Sequence, residues 1–141
     1  MAMNMLARRE HSAYELQQKL SRKGCRNDLA LSVVLQLQTD GLQSDSSFTR
    51  AYRRYRSNRG FGPVRIQLEL ERKGVASEII RQWLDFNALE WYEAVKRVRI
   101  KKYGSELPND YPERARQARF LHYRGFTHEQ IDHAMSTEHC E

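Results

Sequence analysis

Arg50, Arg53, Arg54, Arg56 and Arg59 fall within ten residues, and no acidic side chain interrupts them. A guanidinium is a planar fork of donors that matches a phosphate or a carboxylate, so arginines held on one surface form a template for anions. Phe48, Ala51, Tyr52 and Tyr55 stand among them at helical spacing, which predicts a helix with an apolar stripe inward and Arg50, Arg53 and Arg54 together on the opposite face. The plainer reading is a solvated helix surface. Five uncompensated arginines favour a binding role over solubility alone. Lys96, Arg97, Arg99, Lys101 and Lys102 make a second basic stretch, and Arg65, Arg72 and Lys73 extend the surface between the two.

Chemistry other than binding finds little support. Tyr52, Tyr55 and Tyr103 interleave with basic residues as a base-stacking groove would have them, but Tyr52 and Tyr55 coincide with the apolar stripe. They are assigned to the core, as are Trp83 and Trp91. His128 and His133 are five apart, off a common helical face. His139 and Cys140 sit in a terminal segment expected to fray. The sequence carries no Gly-rich phosphate loop, nucleophile elbow or His-Glu-x-x-His segment, and Glu69 with Glu71 reads as a charged helix face. No catalytic residue, metal ligand or cofactor is expected, and the chain is not expected to be an enzyme.

The 141 residues are 30% charged and 40% hydrophobic, with three prolines and seven glycines. That balance suits a soluble, all-helical protein with little or no strand. A net charge of +6 points to a polyanionic partner. The basic excess is +2 over residues 1–43, +4 over 44–89 and zero over 90–141, so it centres on the middle segment. Cys25 and Cys140 are too few for a disulfide framework and fit a reducing cytoplasm. No apolar run reaches membrane-spanning length, and Arg8, Arg9 and Glu10 interrupt any signal-peptide core.

The elements that must position the arginines are written three times. KLSRKGC around Gly24 returns as ELERKGV around Gly74 and FLHYRGF around Gly125, at spacings of 50 and 51 residues. Such periods signal stacked helical units that share a core. Ser12 with Glu15 forms a capping box that starts a helix at Ala13; Leu16 and Leu20 share its buried face, and Gly24 closes it. In the second unit Pro63 takes the first helical position, eleven residues before Gly74, and Ile66 and Leu70 replace the two leucines. Asn27, Ser77 and Thr127 are read as caps of the helices after each glycine, Thr127 with Gln130 as a second box. Gly125 closes the third unit's corresponding helix. Each unit should open with one further helix, reduced to a stub before His11 in the first; Trp91, Val95 and Val98 mark it in the third. Loose connections are expected near residues 60–63 and from Gly104 to Pro112. The expected architecture is three tandem three-helix repeats, 1–43, 44–89 and 90–141, forming an elongated, curved solenoid-like protein.

LARREHSAYELQQKLSRKG, LQSDSSFTRAYRRYRSNRGFGPVRIQLELERKG and RFLHYRGF together resemble the RecX family of RecA regulators over nearly the whole chain. The most specific stretch is Arg59 to Gly74, with Arg65-Ile66, Glu69-Leu70 and Lys73-Gly74 in the family's order. Asp45-Ser46-Ser47-Phe48 departs from it by lacking the arginine of an acidic-x-Arg-Phe entry. The resemblance implies a modulator without chemistry of its own that lies in the groove of a RecA filament on single-stranded DNA. It implies inhibition of filament extension, ATP hydrolysis, strand exchange and LexA cleavage, and hence restraint of recombination and the SOS response.

Charge placement assigns the main contacts with the filament or DNA to Arg50, Arg53, Arg54 and Arg56, assisted by Arg65, Arg72, Lys73, Lys96, Arg97 and Lys101. The expected partners are the RecA nucleoprotein filament and single-stranded DNA, with double-stranded DNA a further candidate; a monomer and no membrane are expected. A DNA-binding module of helix-turn-helix type is the other class that the basic composition permits.

Overall fold

The computed structural model describes residues 1–136, and within them every regular element is an α-helix. They are α1 (Ala2–Arg8), α2 (Ala13–Arg22), α3 (Asn27–Thr39), α4 (Asp45–Asn58), α5 (Pro63–Arg72), α6 (Ser77–Trp83), α7 (Leu89–Tyr103), α8 (Tyr111–Tyr123) and α9 (His128–Ala134). His139 and Cys140 lie outside the described residues.

The first capping box is present in full. Ser12 Oγ accepts from the Glu15 N–H at 3.1 Å, and Glu15 Oε1 accepts from the Ser12 N–H at 3.1 Å. Helix α2 then buries Leu16 and Leu20 against Ala30, Val34 and Leu37 of α3. Full burial stabilises each leucine by about 1.5–3 kcal/mol. The stub before His11 is a seven-residue helix whose Ala2 joins the same cluster. Pro63 is the first residue of α5, and Ile66 and Leu70 are fully buried; the alternation around them is helical, not extended.

Two expected caps move. Helix α3 has Arg26 at its N-cap with no side-chain hydrogen bond, and Asn27 is its first helical residue, accepting instead from Ser21 Oγ at 3.0 Å. Helix α6 starts at Ser77, and the Ala76 carbonyl accepts the first helical bond, from the Ile80 N–H at 3.1 Å. The cap therefore stands two residues after the closing glycine in every repeat, and of Arg26, Ala76 and Thr127 the last alone supplies a capping side chain, completing its box with Gln130. The expected loose connection before α8 ends at Asp110, whose Oδ1 accepts from the Glu113 N–H at 2.9 Å and places Pro112 in the first turn.

The apolar stripe of α4 also differs from expectation. Phe48 and Thr49 are buried and Tyr52 is half-buried, whereas Ala51 is exposed and Tyr55 is 51% exposed. The buried face is thus rotated toward Thr49, which draws Arg53 partly inward, with its Nε enclosed, and separates it from the exposed Arg50 and Arg54. Trp91 and Val95 of α7 are buried as expected and Val98 half-buried, but so is Arg99 taken inside, at 3% exposure.

The chain divides into two compact units, one of Met1–Arg54 with Leu68–Trp83 and one of Tyr55–Gln67 with the residues from Leu84 onward. The division cuts α4 and α5 of the middle repeat, and the reason is visible in each unit. In the first, Ser12 Oγ donates to the Lys73 carbonyl at 2.8 Å, and the N-terminus of α2 sits on the Gly74 turn. In the second, the Gly62 N–H donates to the Arg124 carbonyl at 2.8 Å and the Val64 N–H to the Gly125 carbonyl at 2.9 Å, so the N-terminus of α5 sits on the Gly125 turn. Each unit joins the start of one repeat's second helix, α2 or α5, to the glycine turn of the next repeat.

Gly74 and Gly125 have φ of +80° and +100°, a region that costs a residue with a Cβ about 1 kcal/mol or more. They also have no room for one. A Cβ on Gly74 would stand 2.5 Å from Tyr14 Cβ, and one on Gly125 would overlap Arg65.

Candidate functional site

The second unit holds a groove of about 500 Å³ between the end of α4, the 59–62 loop, α7 and the end of α8. Five cations line it, Arg59, Arg97, Lys101, Lys102 and Arg124, with Ser57 and Asn58 as neutral polar groups and no carboxylate. Residues 97 and 101 lie one helical turn apart on α7, which is why both reach the same groove. Arg124 is fixed at its edge: the guanidinium donates to the Arg59 carbonyl at 2.9 Å and lies over the rings of Phe61 and Phe120, 4.8 and 5.2 Å from their centroids.

Phe61 is the hub that orders the arginines beside this groove. Arg56 stands 3.9 Å and Arg65 4.8 Å from its centroid, and Arg65 also covers the Tyr123 ring at 5.0 Å. Arg59 lies over Tyr55 at 4.7 Å. A guanidinium laid on an aromatic face is held in one orientation by the ring, and Arg65 also donates to the Tyr123 carbonyl at 3.3 Å. Exposed Tyr55 is therefore a platform for arginine rather than a core residue.

In the first unit the predicted cations meet carboxylates. Arg72 and Lys73 line a groove of about 370 Å³ together with Glu15 and Glu69. Lys73 Nζ pairs with Glu15 Oε2 at 3.0 Å, and Tyr52 donates to Glu69 Oε1 at 2.7 Å. Burial pushes the Glu15 carboxyl upward, but hydrogen bonds from Lys73, the Ser12 N–H and Arg9 outweigh it and hold the group below its ordinary range. Arg50 is exposed and lies over Trp83, whose indole N–H donates to Ser46 Oγ at 2.8 Å.

The ten predicted contacts are thus divided. Arg50, Arg53, Arg54, Arg72 and Lys73 belong to the first unit, and Arg56, Arg65, Lys96, Arg97 and Lys101 to the second. Arg97 and Lys101 line the carboxylate-free groove; Lys96 is half-buried on the same helix and does not. Arg99, expected in the basic stretch, instead ties the end of α7 to its neighbours by donating to the Glu106 carbonyl at 3.2 Å and to Gln117 Oε1 at 3.4 Å. Burial lowers its pKa. Arg59 and Lys102 belong to the two basic stretches but were not assigned as contacts, and Arg124 was missed altogether. The repeat itself carried the signal for Arg124, since Lys23, Lys73 and Arg124 occupy the same place before each closing glycine.

Among the described residues no group of three or more His, Cys, Asp or Glu side chains comes together to hold a metal, and no helix is long and apolar enough to cross a membrane. Helical units locked by glycine turns, with a basic groove on the second, define the class: an all-helical protein of tandem three-helix domains.

Comparison with known proteins makes the class specific. Family models described as the first, second and third three-helix domains of RecX match residues 1–37, 44–84 and 89–135. The chain belongs to the RecX family. It is 39% identical over 130 residues to the regulatory protein RecX of Ectopseudomonas mendocina (strain ymp), covering 92% of this chain and 87% of that one. It is 40% identical over 130 residues to that of Halorhodospira halophila (strain DSM 244 / SL1), covering 92% and 81%. The crystal structure of RecX from Lactobacillus salivarius superposes with a TM-score of 0.78 at 22% identity, over 94% of this chain and 88% of that one. These relatives are named as regulatory proteins, and a regulatory role is what they support here.

Proposed function

We propose that this chain restrains the RecA recombinase by lying in the groove of its filament on single-stranded DNA. It would block filament extension, ATP hydrolysis, strand exchange and LexA cleavage, acting in the cytoplasm as a monomer and without catalysing a reaction. The observation that carries the reading is the carboxylate-free groove of Arg59, Arg97, Lys101, Lys102 and Arg124 in a chain of this family. Cations with no carboxylate among them are set to receive phosphates or acidic side chains from a partner. Tandem units, taken as 1–43, 44–89 and 90–141, let modest contacts add through effective concentration along a repeating filament. Arg56 and Arg65 support the groove through Phe61, and Arg50, Arg54 and Arg72 add contacts on the first unit.

The test is RecA ATP hydrolysis on single-stranded DNA, titrated with this protein well below equimolar, beside its binding to bare DNA at matched salt. Inhibition without comparable coating of bare DNA is expected. The Arg97→Glu/Lys101→Glu variant should lose at least about tenfold in potency, the equivalent of 1.4 kcal/mol, with its helical circular dichroism unchanged. No effect on RecA alongside tight, salt-sensitive DNA binding would replace the reading with a helix-turn-helix type of DNA-binding module.

A further inference from the structure

The first unit contains another groove, of about 590 Å³ between α1 and α2, in which sequence charge counting placed no contact. Arg8, Arg9, Lys19, Arg22 and Lys23 line it around His11. Lys19 and Arg22 are three residues apart on α2 and Lys23 is its C-cap, so the end of the helix presents the three close together over about 6 Å of its axis. His11 is 2% exposed. Its Nδ1 lies 3.1 Å from the Arg9 carbonyl and must donate, and its Nε2 lies 3.0 Å from Lys19 Nζ and must accept, because an ammonium has donors alone. A neutral imidazole therefore pins Lys19 at the rim.

The cations crowd one another. Burial lowers the pKa of Lys19, and the neighbouring charges of Arg9, Arg22 and Lys73 lower it further against the pull of Glu15. Glu15 is the nearby carboxylate, already held by Arg9 at 3.4 Å and Lys73 at 3.0 Å. Arg8, Arg22 and Lys23 form no ion pair with any described residue. An anion in the groove would relieve this repulsion.

We propose that this groove holds the phosphodiester backbone of single-stranded nucleic acid. A nucleic-acid strand brings closely spaced charges on one continuous chain, matching five cations in a short groove. Carboxylates on a protein surface would each need a separate side chain to be ordered. The proposal deepens the reading above by giving the first unit its own contact with the DNA, and rests on that reading for the class of ligand.

Arg8, Arg22 and Lys23 are exposed, so changing them to glutamine leaves the core intact. The Arg8→Gln/Arg22→Gln/Lys23→Gln variant of the full chain is compared with the parent for binding of a fluorescent oligothymidylate across a salt series, with circular dichroism as the fold control. The expected result is an affinity loss of about tenfold or more at low salt and a log–log salt slope shallower by about 2, three contacts at roughly 0.7 each. Parent-like affinity and slope in the variant, or no binding by the parent, would overturn the proposal. Loss of RecA inhibition with unchanged oligonucleotide binding would assign the groove to protein carboxylates and overturn it equally. A parent that binds the oligonucleotide but leaves RecA unaffected would remove the filament reading, and the salt slopes would still decide the groove.

Discussion

The Gly74 and Gly125 junctions use one backbone device with two chemistries. At both, the carbonyl before a left-handed glycine accepts a hydrogen bond from the start of the preceding repeat's helix, and at both the glycine lacks space for a Cβ. At Gly74 the surrounding groups are a serine hydroxyl and the Lys73–Glu15 ion pair; at Gly125 they are two backbone amides and guanidiniums stacked on Phe61, Phe120 and Tyr123. The backbone geometry is thus what the fold requires, while the side chains around it vary. An ion pair ties the first junction to pH and salt. Backbone bonds and stacked rings leave the second largely indifferent to both.

The largest effects should come from the glycines. Gly125→Ala and Gly74→Ala combine left-handed strain with overpacking and should each cost about 2–4 kcal/mol. Gly24 has φ of +100° but nothing within 4 Å of its virtual Cβ, so Gly24→Ala should lose about 1 kcal/mol from strain alone. Chemical denaturation of the three variants is the check, and equal losses would show that close approach contributes nothing. A smaller effect is expected from Arg124→Met, which keeps the aliphatic packing but removes the hydrogen bond to the Arg59 carbonyl and the two ring contacts. It should cost about 1–2 kcal/mol, with the loss unchanged between low and high salt. A strong salt dependence would make the second junction ionic like the first.

The smallest effect concerns acid. The carboxyl of Glu15 titrates below its ordinary 4.5, so its contribution is present above that value and is lost as pH falls through the lower folded value. His11 adds to the same limb. Burial keeps its folded pKa below 6.5, so the unfolded chain takes up a proton first and stability declines as pH drops under 6.5. Glu15→Gln should cost under about 1 kcal/mol at neutral pH and flatten the decline below pH 4.5 in melting curves. An unaltered acid limb would mean that the first junction does not depend on its ion pair.

Local grammar made the helices legible. Ser12 with Glu15, Pro63, and the glycines at 24, 74 and 125 each specify a start or stop within a few residues, and the structure places them as read. Asn27 and Ser77 misled because a good capping residue outweighed the register of the repeat, which sets the cap one position earlier. Tyr55 misled because periodicity cannot tell a buried ring from one covered by Arg59. The basic groove was half legible: Arg97 and Lys101 share a helix face, but Arg59 and Arg124 meet across 65 residues of chain, and only the junction brings them together.

Because the Gly74 and Gly125 turns each receive the helix start of the preceding repeat, the segment copied in the gene is not the segment that closes in space. Excising the middle copy would leave the Ser12 end of α2 facing the Gly125 turn, where the serine hydroxyl must replace an amide and Tyr14 must fit where Val64 does. Recombination between copies would therefore preserve the reading frame of the repeat yet mismatch its joint, which favours a fixed number of copies over gradual loss or gain.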